Sequence, residues 1–326
     1  MNPKAVTRKS VIGMIRAAAL AAAFFLAAGA LPLVGVLLML FVPAPIIGYV
    51  VGRPAAGLRM ASAIGLSLLL VTLVAGPTVA AGYAVTFGLA TAIICLMLER
   101  EYRFEAIIVV ATAAIMVAGT AILLVVAGSP QALAGMMRET LTQGFDRSAR
   151  FYQTLGVGTG IDAASRDQMA AVTVRLMPAI AALAVAFMVM VNLICFWRWL
   201  GKRRLGYPLF GDLALWRSPE WTIWLFLATG FALFIPIPTL KTLAVDAFIC
   251  TSAIYFCQGL AIVAYYFRML AMPMVFRSIA LLLICLIAVQ PVLAILVCVM
   301  GIFDLWVDFR RLKPPGREAG SFGDFS

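Results

Sequence analysis

The side chains able to do chemistry are few, and they gather in the second half of the chain. Asp246, Cys250 and Cys257 share one stripe of an apolar segment near 241–268, and Tyr255, Gln258 and Tyr266 lie near one another on another face. Asp246 stands just after Lys241, near a helix N-terminus where a carboxylate is favoured. Asn192 adds an amide to the preceding long segment, with Arg175 toward its other end, and Gln290 adds one further on. Intramembrane groups of this kind either join helices by hydrogen bonds or line a pocket. The pocket reading makes Arg175, Asn192, Asp246, Tyr255 and Gln258 the substrate-binding set, in a cavity open to the outside.

Other polar features have structural readings. Asp304 and Asp308 are spaced i,i+4 on one face, where like charges repel unless compensated. Arg310, Arg311, Arg268 and Arg277 are candidate partners, so Asp304, Asp308 and Arg310 are expected to form a salt-bridged anchor at the cytoplasmic helix end. Arg16 lies one turn into the first span and can snorkel to the interface. Ala17 with Ala21, Ala18 with Ala22, and Ala19 with Ala23 form small-xxx-small faces on that span. Such faces allow close contact within the bundle or with a partner protein; Ala17, Ala21, Ala18 and Ala22 are the partner-contact candidates.

Several chemistries lack their residues. There is no histidine, and none of the six cysteines forms a CxxC pair, so no metal site or disulfide framework is expected. The P-loop pattern and the HExxH and GxSxG motifs are absent. Gly156-Val157-Gly158-Thr159-Gly160 follows no strand and reads as a flexible turn, not a phosphate cradle. The chain is therefore expected to be no enzyme and to carry no cofactor.

The elements that must position these residues are membrane helices. Hydrophobic residues make up 64% of the 326-residue chain and charged residues 12%, more apolar surface than a soluble core could bury. Runs of roughly 20 apolar residues predict an all-α polytopic transmembrane bundle of about ten spans, with eight or nine as alternatives. The first five fall near 12–30, 33–52, 57–75, 78–98 and 105–127. Ser129-Pro130 opens an amphipathic helix with Leu133, Met136, Met137, Leu141 and Phe145 at helical spacing. Ser165 with Gln168 matches a capping box for a sixth span reaching about Leu200, kinked at Pro178. Ser218-Pro219-Glu220-Trp221 caps a seventh, ended by Pro236 and Pro238; the eighth covers about 241–268. The block 273–307 is expected to split at Gln290-Pro291 into a tight hairpin. The chain thus divides into a membrane half at 1–127, an extracytoplasmic connector at 128–165, a second membrane half at 166–313 and a disordered tail at 314–326.

An even number of spans places Lys4, Arg8, Lys9, Arg53, Arg59, Arg100, Arg103 and the basic cluster Arg310, Arg311, Lys313 and Arg317 on the cytoplasmic side. The net charge of +11 is then a matter of insertion topology and not of nucleic acid. The expected location is a bacterial inner membrane, with both termini cytoplasmic and the lipid bilayer as the main partner.

Five pieces carry a resemblance: Leu31-Pro32; Pro43-Ala44-Pro45; Leu215-Trp216-Arg217-Ser218-Pro219-Glu220-Trp221; Tyr255 with Gln258-Gly259-Leu260-Ala261; and Gly301 with Asp304, Asp308, Phe309 and Arg310. Together the chain resembles the YybS-like bacterial membrane proteins, a family of unknown function. That family is similar in turn to the substrate-binding components of energy-coupling-factor vitamin transporters. The resemblance implies an S-component-like bundle with extra helices, a small molecule in an outward-facing cavity, and an Ala-rich first helix against a coupling subunit. The leading expectation is a small-molecule binding or transport component. The alternative is a non-transporting scaffold or assembly factor that binds other proteins.

Overall fold

Hydrocarbon offers a backbone no water to bond, so an apolar run closes its own hydrogen bonds as a helix. The computed structural model describes residues 3–154, 163–202, 213–287 and 290–310, and within these every regular element is helical. The Gly156–Gly160 turn, the basic residues Arg203, Arg204, Arg311, Lys313 and Arg317, and the 314–326 tail lie outside the described residues. Among the described residues, six helices are long and apolar enough to cross a bilayer. They are α1 (Pro3–Ala30), α4 (Ala56–Ala75), a continuous helix made of α5 (Pro77–Tyr83), a π-helical turn (Ala84–Gly88) and α6 (Leu89–Glu99), then α7 (Phe104–Ala127), α9 (Ala163–Lys202) and α11 (Pro238–Met269). The large side chains they leave exposed, such as Leu58, Leu73, Val117 and Val125, are apolar, as a lipid solvent requires.

Four expected spans come out shorter. The stretch 33–52 is broken into α2 (Pro32–Met39) and α3 (Ala44–Val50). Pro43 and Pro45 have no N–H to give the preceding turn, so the helix stops and restarts after a turn at 40–43. The seventh is α10 (Thr222–Ala232), whose 11 residues rise about 17 Å, short of the roughly 30 Å hydrocarbon core. Ser218 does not cap it: the N-cap is Trp221, with no side-chain bond. The 273–307 block does divide at Gln290-Pro291, into α12 (Met274–Ile287) and α13 (Pro291–Val307). They are not a tight hairpin, since among the described residues each packs chiefly on α11. At the sixth span the helix begins at Ala163, so Ser165 lies inside its first turn and not at the cap.

The chain forms two compact units, 1–210 and 211–326. In the first, α1 packs on α2, α3 and α4. Gly35 of α2 lies so close to Ala28 of α1 that a Cβ there would overlap its backbone. Ala17, Ala18, Ala21 and Ala22 are all buried. The α1 faces assigned to a partner protein are thus taken up by packing inside the chain. Phe25 of α1 meets Tyr83 and Phe87 edge-on at 5.1 and 5.5 Å, and the Tyr83 hydroxyl donates to Ser67 Oγ at 3.0 Å. The amphipathic α8 (Pro130–Thr154) packs on α7 and α9. Ser129 Oγ accepts the Ala132 N–H at 3.1 Å, the expected cap. Its inner stripe is Leu133, Met137, Leu141 and Phe145, whereas Met136 points away. Because α9 packs on α7 and α8, it belongs to the first compact unit.

In the second unit α11 and α13 meet backbone to backbone. A Cβ on Gly259 would fall on the Val297 carbonyl, and one on Gly301 on the Tyr255 carbonyl. Two facing glycines allow a close crossing that no larger pair would permit.

Candidate functional site

The first unit contains a cleft of about 660 Å³ between α1, the broken α2–α3 segment and α9. One α1 stripe supplies Gly13, Arg16, Ala17, Leu20 and Phe24; the broken segment supplies Phe41, Ala44, Pro45, Gly48, Tyr49 and Arg53; α9 supplies Asn192, Cys195 and Phe196. Polar groups sit toward one end. The Tyr49 hydroxyl donates to the Ser10 carbonyl at 3.2 Å, tying α3 to α1. The guanidinium carbons of Arg53 and Arg59 lie 5.4 and 5.5 Å from the Tyr49 ring centroid, within cation–π range. The lining contains arginine and no carboxylate.

Asn192 owes its placement to the broken helix. Its Nδ2 donates to the Leu40 carbonyl, freed where α2 ends, and to the Met188 carbonyl, both at 2.7 Å. Two carbonyls on one side fix which end of the amide is the nitrogen. Oδ1 therefore points elsewhere, and it is buried with no hydrogen-bond partner. An unfilled buried acceptor is costly unless something else meets it.

The second unit holds a buried polar network. Asp304 and Arg310 form an ion pair at 2.7 Å with both side chains fully buried. Arg310 Nη1 donates to the carbonyls of Ala214 and Trp216, each at 2.9 Å. Asp304 Oδ2 also accepts from Gln258 Nε2 at 3.2 Å, and Oδ1 from the Phe309 N–H at 3.1 Å. Gln258 Oε1 accepts from both the N–H and the hydroxyl of Ser218. Arg217 Nη2 caps the end of α13 on the Asp304 and Leu305 carbonyls at 3.0 and 3.1 Å. Tyr255 bonds Thr222 at 2.9 Å, and Tyr266 donates to the Phe309 carbonyl at 3.0 Å. The Trp-Arg-x-Pro-Glu-Trp stretch is thereby stitched to α11 and α13.

The five predicted substrate residues are divided between the two units. Arg175 and Asn192 belong to the first unit, and Asp246, Tyr255 and Gln258 to the second. Along α9, Arg175 is about 25 Å from Asn192, and it is exposed. Tyr255 and Gln258 spend their polar atoms on neighbouring segments, which is the helix-joining role. Asp246 lies three turns from Gln258, outside that network. Only Asn192 lines the cleft. The anchor pairs as expected through Asp304 and Arg310, while Asp308 sits at the α13 C-cap with left-handed backbone. Arg16, Arg53 and Tyr49 were missed because basic residues at span ends are explained first by topology. For Arg16 the signal was its α1 stripe with Gly13, Ala17, Leu20 and Phe24. Among the described residues no cluster of acidic or cysteine side chains could hold a metal ion.

A family model described as "Predicted membrane protein (DUF2232)" matches residues 19–305. The chain belongs to the DUF2232 family. The match takes in the α2–α3 and α9 walls of the cleft and the Gln258–Asp304 contact but begins after Gly13, Arg16 and Ala17, and the membrane character of the family agrees with the six long apolar helices of this DUF2232 protein. No curated protein and no solved structure matches.

Proposed function

We propose that this DUF2232 protein is a non-enzymatic small-molecule-binding component of a bacterial inner membrane, acting with a separate protein that supplies energy or coupling. The observation that carries the reading is the 660 Å³ cleft, whose size suits a small molecule and whose lining is mostly apolar with a few polar side chains. The resemblance to YybS-like proteins, and through them to energy-coupling-factor substrate-binding components, supports the same reading. So does the lack of any nucleotide-binding motif in the chain. About ten membrane passages, with both termini cytoplasmic, complete the proposal. The scaffold alternative loses the Ala17–Ala21 and Ala18–Ala22 faces of α1, which are used internally, and keeps the exposed Ala19–Ala23 face.

The test is ligand retention. Protein purified in mild detergent should carry a co-purifying small molecule or gain melting temperature with at least one compound of a metabolite panel. Ala44→Trp, which puts an indole into the cleft, should abolish that response while the protein still elutes as one folded species. Wild-type protein without bound ligand and indifferent to every compound would sink the reading.

A further inference from the structure

We infer that the cleft takes one acyl chain of a bilayer phospholipid, which enters sideways from the membrane between α1 and α9. The inference rests on the ligand-binding reading above and adds the class of the ligand and its route. The route follows from the packing. α1 packs on α2, α3 and α4, whereas α9 packs on α3, α6, α7 and α8. The two walls share the broken segment as their floor, and the cleft opens between them. Its lining continues into the outer surface of the first span. Leu20 lines the cleft and is 49% exposed. Ile12, Ala19 and Ala23, on the adjoining strip of α1, are exposed as well. An apolar rim on a membrane helix admits hydrocarbon without exposing it to water.

The depth of the cleft matches one leaflet. Its α1 wall runs from Gly13 to Phe24, wholly inside the apolar span Ser10–Gly29. That wall rises about 16 Å, and half of the hydrocarbon core is about 15 Å. A chain belonging to one leaflet therefore fills the cleft lengthwise and stays at its own depth. Leu20, Phe24, Phe41 and Phe196 give it apolar walls. Arg16 sets the head-group end. It lines the shallow part of the cleft and is exposed, and among the described residues it makes no hydrogen bond or ion pair. A cation one turn inside a span is costly alone, and a phosphodiester at the interface compensates it with charge-assisted hydrogen bonds. Every phospholipid carries that group next to its chains.

The test places the whole protein in phosphatidylcholine vesicles containing a phosphatidylglycerol with a diazirine halfway along one acyl chain. After irradiation, peptide mapping by mass spectrometry should find label on the cleft floor, residues 41–49, and on the exposed Val117 and Val125 of α7. Ala44→Trp should abolish the floor label and leave the α7 label unchanged, which also shows that the variant remains inserted. Cys195→Phe fills the cleft from α9 and should give the same loss where the indole is not tolerated. Arg16→Gln should lower the floor label about three- to tenfold, and Arg100→Gln, outside the cleft, should not change it. Label on α7 with none on residues 41–49 would overturn the lipid chain. A metabolite response still lost in Ala44→Trp would then leave the cleft as the site of a water-soluble molecule. Floor label that survives both filling variants would put the chain outside the cleft and overturn the inference equally. Floor label indifferent to Arg16→Gln would overturn the place given to the phosphate. No floor label, joined to an empty metabolite panel, would remove the binding reading as well.

Discussion

Asp304 and Arg310 show what one pair of side chains costs and returns in this chain. Both are fully buried, so each gave up hydration that their attraction alone barely restores. The remaining bonds, from Gln258 and Phe309 to the carboxylate and from the guanidinium to Ala214 and Trp216, make the arrangement tolerable. Removing one partner strands the other. Asp304→Ala should lower stability by about 3–5 kcal/mol, read from unfolding in mixed micelles. Asp304→Leu with Arg310→Met should cost clearly less than the two single changes summed. Additive losses would mean that the two residues are not coupled. Asn192 makes the same point in the first unit. Asn192→Leu orphans the Leu40 carbonyl and should destabilise by about 1–3 kcal/mol in the same assay. At this scale the sequence made the Asp304–Arg310 pairing visible, because charges beside an apolar run need partners. It did not reveal that Ser218 serves Gln258 instead of capping a helix. A Ser-Pro-Glu string reads the same whether its hydroxyl turns inward or stays at a cap.

Helices in this protein are positioned by what their backbones can approach or cannot bond. The α11–α13 crossing depends on Gly259 and Gly301, each facing the other helix's main chain. Gly259→Ala or Gly301→Ala must push the helices apart, and with them Gln258 and Asp304. Each should destabilise by about 1–3 kcal/mol, with a lower melting temperature in detergent. Gly119→Ala is the contrasting case. Gly119 is inside α7 with open space where a Cβ would stand, so alanine should be neutral or stabilise by about 0.5–1 kcal/mol. Equal effects at 119 and 301 would refute the backbone-contact account. The long helices were legible because hydropathy over some twenty residues reports their side chains directly. The break at 40–43 was not, since hydropathy sums side-chain transfer and takes no account of a missing N–H. Pro43 and Pro45 leave the apolar run intact while removing the bonds that would continue it. The cleft depends on that break and was hidden with it.

At the scale of the whole molecule, the decisive property is which helix ends share a face of the membrane. α7 has 24 residues and rises about 36 Å, enough to cross the hydrocarbon core once. Its two ends must then lie on opposite faces. Arg100 and Arg103 precede it and α8 follows it, and in the proposed topology the excess of basic residues among 1–103 puts the first end on the cytoplasmic side. Impermeant maleimide labelling tests this directly. The six native cysteines are free and lie in apolar segments, so they can be replaced by alanine before one cysteine is added at an exposed position. Arg147→Cys, on α8, should label in intact cells. Arg100→Cys should label only after the membrane is opened. Arg198→Cys, at the far end of the apolar part of α9, should behave like Arg100→Cys, because that helix crosses back. The outcome also bears on the cleft. Arg16 precedes most of the α1 apolar run and Arg53 shares the basic side with Arg59 and Arg100, so a ligand of the cleft is expected to enter from the face on which position 100 is labelled. Positions 100 and 147 labelling alike would mean that α7 does not cross. The even-span topology, and the cytoplasmic side of the cleft with it, would then be wrong.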